Sequence, residues 1–196
     1  MNKRILSLAN KLLGTIAILT LSNLNSLKAE KILHIGAIPD QNPERLNRLY
    51  KVLSLELSEQ LNVKVRYLPV VNYSAAVTAF RTGNLDLVWF GGLTGVQARL
   101  QTEGAQVLVQ RDIDAKFRSV FIANKKSSLN KLNNINGLKS LKGKRFTFGS
   151  ESSTSGRLMP QYFLKKAGLQ LKDFKGSRPG FSGSHDATLM LVQSGS

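Results

Sequence analysis

The 196 residues contain no cysteine. That excludes disulfides, thiolate catalysis, cysteine-ligated zinc, iron–sulfur clusters and cysteine-linked lipid together. Histidine is nearly as scarce, with only His34 and His185, too few for a typical histidine-rich metal site. Acidic residues are few as well: 12 against 28 Lys and Arg, a net charge of +16. No Gly-Lys-Ser/Thr follows a candidate strand, so a Walker phosphate loop is missing. No G-x-S-x-G elbow occurs, which leaves Ser-His-Asp hydrolysis without its nucleophile. No apolar run reaches the length that spans a bilayer. No metal and no cofactor are expected, and no catalysis.

The chain that remains is ordinary in bulk, 42% hydrophobic and 20% charged. Its start is not. Residues 1–11 are basic, 12–21 (LLGTIAILTL) are apolar and uncharged, and 22–29 are polar with small residues, ending at Ala29. This order is that of a secretory signal peptide, expected to be cut near Ala29 although Leu27 departs from the small-residue preference. Removing 1–29 takes away Lys3, Arg4, Lys11 and Lys28, and the net charge falls to +12. Export makes a nucleic-acid partner a poor choice. The one dense basic stretch, 125–145, also lacks the interleaved aromatics of a single-strand binder and reads as a solvated face.

Strand and helix patterns alternate after residue 30. Residues 31–38 (KILHIGAI) predict a strand stopped by Pro39. Asn42-Pro43 opens a helix over 44–61, with Leu46, Leu49, Tyr50, Leu53, Leu57 and Leu61 on one buried face. A strand at 63–69, a helix at 72–83, a strand at 85–90 (LDLVWF), a helix near 93–103 and a strand at 106–111 follow. This is the order of an open, mostly parallel α/β sheet. Residues 117–123 (FRSVFIA) predict a further strand that crosses between two lobes. Beyond it come a weak helix near 135–141, a strand at 145–149, a helix over 154–168 with Leu158, Met159, Tyr162, Phe163 and Ala167 facing the core, a loop, and a helix from Ser184-His185. The expected organisation is a first lobe over 30–116 and a crossover with a second lobe over 117–196. One confident strand cannot make a sheet, so that second lobe is expected to be incomplete.

Two strand-to-helix turns carry candidate chemistry. Ser150-Glu151-Ser152-Ser153-Thr154-Ser155-Gly156 presents hydroxyls where a helix begins, and helix starts offer unpaired N–H groups. One hydroxyl suffices for plain capping. Three in a row tilt the reading toward an oxyanion, held by neutral donors. Phe90-Gly91-Gly92 lies at the carboxyl end of a strand, where α/β sheets bind ligands, though a tight turn alone accounts for it. His185 by itself reads as a surface or capping residue, with N–H groups an anion can use.

Taken together, these residues resemble a known family. VVNYSAAVTAFRTGNLDLVWFGGLTGVQA (70–98), SESSTSGRLMPQYFLKKAG (150–168) and GSHDATLMLVQSG (183–195) resemble, in order, the periplasmic phosphate/phosphite/phosphonate-binding proteins of ABC importers. The resemblance implies a two-lobed type II periplasmic-binding fold of class α/β, each lobe an open, mostly parallel sheet flanked by helices. It implies capture of phosphite, a small phosphonate or phosphate between the lobes, and a membrane permease as partner to a monomer. By position, Ser153, Thr154 and Ser155 would grip the oxyanion, Tyr73 and His185 would donate to it, Trp89 and Phe90 would wall it, and Gly91 would allow close approach. Several aminophosphonate binders of this kind carry Tyr where Phe90 stands. Another small anion, a secreted enzyme or a basic nucleic-acid module stay as alternatives.

Overall fold

The computed structural model describes residues 30–196. The predicted signal segment, 1–29, lies outside the described residues. Among them, no helix is long and apolar enough to cross a membrane.

Strand β1 (Ile32–Ala37) is the centre of a parallel three-stranded sheet, between β2 (Lys64–Tyr67) and β3 (Leu87–Trp89). Ile35 pairs with Tyr67 on one side and Leu87 on the other, and Ala37 pairs with Trp89. A central parallel strand is covered on both faces, which is why its second half is apolar throughout. Gly36 is required by packing: a Cβ there would stand 2.5 Å from Leu85 Cδ1. Asp86 extends the β1–β3 pairing, its carboxylate accepting from the His34 N–H at 2.8 Å.

Helix α1 (Pro43–Leu61) covers one face of this sheet. Its cap is as the sequence predicts, with Asn42 Oδ1 accepting from the Glu44 and Arg45 N–H groups at 2.9 and 3.2 Å. Its buried stripe is narrower than expected. Leu46, Tyr50 and Ser54 are buried, whereas Leu49 and Leu61 are exposed. Leu53 and Leu57 flank that row, partly buried against the same core. Helices α2 (Tyr73–Arg81) and α3 (Gly92–Gln101) follow β2 and β3. Tyr73 and Ala76 pack with Ile38 as a separate core, which Phe90 joins.

The second half is built around β4 (Thr147–Phe148) and β5 (Gly180–Phe181), which pair in parallel. A π-helical turn (Thr154–Leu158) leads into α4 (Met159–Lys166), and α5 (His185–Ser194) closes the described chain. Its core joins Leu138, Leu141, Phe148, Leu164, Ala167, Leu169 and Phe174. The weak helix near 135–141 is a 3-10 helix over Ile135–Leu141, capped by Asn134 Oδ1 accepting from the Gly137 N–H.

Three predictions need correction. Residues 106–111 and 117–123 form no strand, and Val107, Leu108, Val109 and Val120 are exposed. Their alternation is real, but a strand exists only with a ladder partner, and no described segment pairs with either. In α4, Tyr162 and Phe163 are exposed and stack edge-to-face on each other at 5.2 Å, while Leu164 and Ala167 enter the core. The π-helical turn inserts one residue into the helical period, which rotates the following face relative to a continuous α-helix from 154. The loop after 174 holds a short strand, β5, so the second half has two strands and not one.

Candidate functional site

The starts of helices from both halves meet at the carboxyl end of the first sheet. Each start is set locally. Asn72 caps α2, its Oδ1 accepting from the Ala75 N–H at 2.7 Å. Gly91 precedes α3, with Thr94 Oγ1 accepting its N–H at 3.0 Å. Ser153 caps the π-helical turn by accepting from the Gly156 N–H at 2.9 Å, so the plain capping role is real for this residue. Ser184 caps α5 through the Ala187 N–H at 3.2 Å. Gly149 and Gly156 touch across the turn, the Gly149 N–H donating to the Gly156 carbonyl at 2.9 Å. A Cβ on Gly156 would meet Ser153 Oγ at 3.0 Å, so the turn closes tightly only with glycine there.

These starts are joined by hydrogen bonds between the halves. The Leu93 N–H donates to Thr154 Oγ1 at 2.7 Å. The Ser74 and Ser152 hydroxyls are 3.1 Å apart. The His185 N–H donates to the Asp40 carbonyl at 3.1 Å, and the Asn42 N–H donates to Asp186 Oδ2 at 2.8 Å. Within the second half, Ser119 Oγ donates to the Ser155 carbonyl at 2.9 Å. The Tyr73 hydroxyl faces Ser153, and both residues are almost completely buried. Burial, reinforced by Asp40, holds the Tyr73 hydroxyl protonated far above the ordinary tyrosine range. Tyr73 is therefore a donor at every physiological pH.

The Thr154 contact has a chemical consequence. A hydroxyl has one proton to give and two lone pairs. The Leu93 N–H takes one lone pair, which leaves the hydroxyl proton and the second lone pair for other partners. A Cβ on Gly92 would stand 3.1 Å from Thr154 Oγ1, so this approach needs the second glycine of the Gly91-Gly92 pair. The helix starts add partial positive charge to the same place. The seam thus gathers hydroxyls and helix starts, features suited to an oxyanion, beside the carboxylates of Asp40 and Asp186.

Of the eight predicted site residues, Tyr73, Gly91, Ser153, Thr154, Ser155 and His185 come to this seam. Phe90 packs with Tyr73, Ile38 and Ala76, edge-to-face on Phe80 at 5.7 Å, and so stands behind Tyr73. Trp89 does not join them. Successive strand side chains point to opposite faces, and Trp89 packs on the α1 side with the Tyr50 and Leu46 cluster. Residues not anticipated are Asp40, Asp186, Leu93 through its N–H, and Arg111. Asp40 lies just past the central strand, at the sheet edge where ligands bind, and that position was the available signal. Its carboxyl is pushed up by burial, partly offset by His185.

A separate cavity of about 980 Å³ lies in the second half, beside Phe121, Ile135, Leu138 and Phe146. It shares no residue with the seam. Among the described residues no group of three His, Asp or Glu is placed to hold a metal ion.

Residues 35–196 match the family model for the periplasmic substrate-binding protein of phosphonate ABC transporters. The chain belongs to this family. It is 64% identical over 165 residues to a protein of Prochlorococcus marinus (strain MIT 9301) described as a probable ABC transporter phosphite binding protein, PhnD1. That match covers 84% of this chain and 56% of the relative. It is 31% identical over 176 residues to the phosphonates-binding periplasmic protein of Escherichia coli (strain K12), covering 84% of this chain and 51% of that one. The chain thus spans about half the length of the curated relatives it matches. Among solved structures, PhnD1 of Prochlorococcus marinus in complex with methylphosphonate superposes with a TM-score of 0.83 at 63% identity, covering 85% of this chain and 61% of that one. A phosphonate-transporter binding component of Pseudomonas aeruginosa, at 23% identity, shares the fold with a TM-score of 0.67 over 83% of this chain and 54% of that one. The fold is the α/β fold of these binding proteins.

Proposed function

We propose that this chain forms the ligand-capturing seam of a solute-binding protein that delivers a phosphorus oxyanion to an ABC importer outside the cytoplasmic membrane. The ligand is phosphite, a small phosphonate such as methylphosphonate, or phosphate. Residues 30–116 and 117–196 act as the two jaws. The observation that carries the reading is the meeting of neutral donors from both halves: Tyr73 against Ser153, and the Leu93 N–H on Thr154. The family match and the methylphosphonate-bound relative support the ligand class.

The physical case is one of desolvation. An oxyanion taken from water loses its hydration, and each oxygen needs a replacement donor. A hydrogen bond to a charged group is worth about 1.5–3 kcal/mol. Several of them exceed the association cost, roughly 4–15 kcal/mol. Thr154 and Ser155 donate through hydroxyls and backbone N–H groups, Tyr73 donates from the opposite jaw, and His185 donates from the start of α5. Ser153 shapes the turn and holds Tyr73. The hydrogen bonds from His185 to Asp40 and from Asn42 to Asp186 hold the jaws shut around the ligand. A permease would distinguish this closed form. The relatives it matches are described as binding proteins of transporters.

Calorimetric titration of the full-length mature protein with phosphite, methylphosphonate, phosphate and sulfate tests the reading. Saturable heat with a phosphorus oxyanion, and weaker or no heat with sulfate, is the expected result. Heat with none of the phosphorus ligands, or a preference for sulfate, overturns it.

A further inference from the structure

Arg111 is a charged side chain that oxyanion capture leaves unused, and it lies within electrostatic reach of Asp40. Trp89, at the end of β3, faces the α1 side, where Tyr50 and Tyr67 stack with ring centroids 4.8 Å apart. The Arg111 guanidinium lies over the Trp89 ring, 5.2 Å from its centroid. Asp114 fixes it there, accepting from Nη2 at 2.6 Å and from Nε at 3.1 Å. Asp40 and Tyr50 lie within electrostatic reach of the same guanidinium. An indole face, the Tyr50 phenol and a carboxylate around one positive charge form the kind of surroundings that recognise an organic ammonium. Here the protein's own guanidinium holds that place. Asp40 joins this cluster to the seam, because its carbonyl accepts the His185 N–H.

We propose that Arg111 is a specificity-determining residue: it fills a cation seat over Trp89 beside the oxyanion site, and so favours compact phosphorus oxyanions over phosphonates that carry an ammonium group. Two effects act together. The guanidinium occupies the aromatic face, and its charge, within electrostatic reach of Asp40, repels a second cation. Half of its side chain is solvent-accessible, so its removal opens the seat without emptying a core. The inference rests on the oxyanion reading of the seam.

The test is titration of the full-length protein with methylphosphonate and with 2-aminoethylphosphonate. Wild type is expected to prefer methylphosphonate. Arg111→Ala is expected to shift the ratio of affinities toward 2-aminoethylphosphonate by about 10-fold, the scale of one cation–aromatic contact with a carboxylate beside it. Adding Asp40→Asn should abolish that shift. Arg111→Met, which keeps the stem over Trp89 without its charge, should shift the ratio in the same direction by less, and it guards against a folding defect in the alanine variant. An unchanged ratio in both variants overturns the proposal, as does an equal loss for both ligands, which would place Arg111 on the oxyanion itself. A wild-type protein that binds neither ligand would instead overturn the oxyanion reading and this inference with it.

Discussion

Replacing Thr154 by Val keeps the shape of the side chain and removes its hydroxyl. Two tasks are proposed for that hydroxyl. It accepts the Leu93 N–H at 2.7 Å, and it offers its proton to the ligand. Losing the ligand bond removes about 1.5–3 kcal/mol, the worth of a hydrogen bond to a charged acceptor. That corresponds to about 10- to 150-fold in affinity, since about 1.4 kcal/mol is tenfold. The Leu93 N–H also loses its partner in a half-buried place, which adds a cost to the closed form. Thr154→Ser retains both tasks and is expected to stay within about threefold of wild type, because only a methyl group is lost. The assay is calorimetric titration of the full-length protein with methylphosphonate and phosphite, with a urea melt alongside to confirm folding. Unaltered affinity in a folded Thr154→Val protein refutes the argument that Leu93 orients this hydroxyl toward the ligand.

Other positions make independent predictions. Gly36→Ala places a methyl group 2.5 Å from Leu85 Cδ1, in a core where Leu85 is only 2% exposed. Overpacking of this kind costs about 1–3 kcal/mol, so the urea midpoint should fall with no change in its slope. Asp186→Ala removes the acceptor for the Asn42 N–H across the seam. The contact is exposed, and a loss of about 1 kcal/mol is expected, appearing as roughly fivefold weaker ligand binding with little change in the melt. An equal affinity would show that this bond does not help closure. Asp40→Asn should stabilise the fold in a pH-dependent way. The Asp40 carboxyl is raised in the folded state by burial, so the folded protein holds its proton more tightly than the unfolded chain. Below the ordinary value of 3.8 the group is neutral in both states, and the variant gains nothing. The gain grows as pH rises from there through the folded value, then levels off. Denaturation midpoints from pH 3 to 8 check it, and a gain confined to acid pH would contradict the sign.

The local structure around the candidate site was largely legible before any coordinates. Asn42-Pro43 announced α1, the Ser-Thr-Ser run announced a turn rich in donors, and His185 followed a serine cap. What local patterns missed depends on tertiary partners. Residues 106–111 and 117–123 alternate like strands, yet alternation describes which side chains face the same way, not whether a neighbour supplies hydrogen bonds. β5 is two residues long, below the length at which a pattern can register. The placing of Trp89 away from Tyr73 follows from strand alternation, and the reading of Trp89 and Phe90 as one wall overlooked it. Asp40 and Arg111 are 71 positions apart, and only the folded chain brings them together. The hydroxyl run explained one role per residue, whereas the structure divides the labour: Ser153 shapes the turn, and Thr154 is oriented by a helix start from the other half.

The overall charge also takes on a narrower meaning. The 28 basic residues are spread over the chain, and the hydrogen bonds described across the seam come from backbone N–H groups and serine hydroxyls. The excess raises the local concentration of anions and is screened by salt. Recognition is assigned to neutral donors held close together by glycine turns.

A crystal structure of the full-length protein grown with methylphosphonate tests the central claim most directly. The account predicts phosphorus density at the seam, with oxygens receiving hydrogen bonds from Thr154 Oγ1 and the Tyr73 hydroxyl, while the Leu93 N–H still donates to Thr154. Density placed in the cavity beside Phe121 and Phe146, or a seam that stays closed on itself without ligand at saturating methylphosphonate, would contradict it.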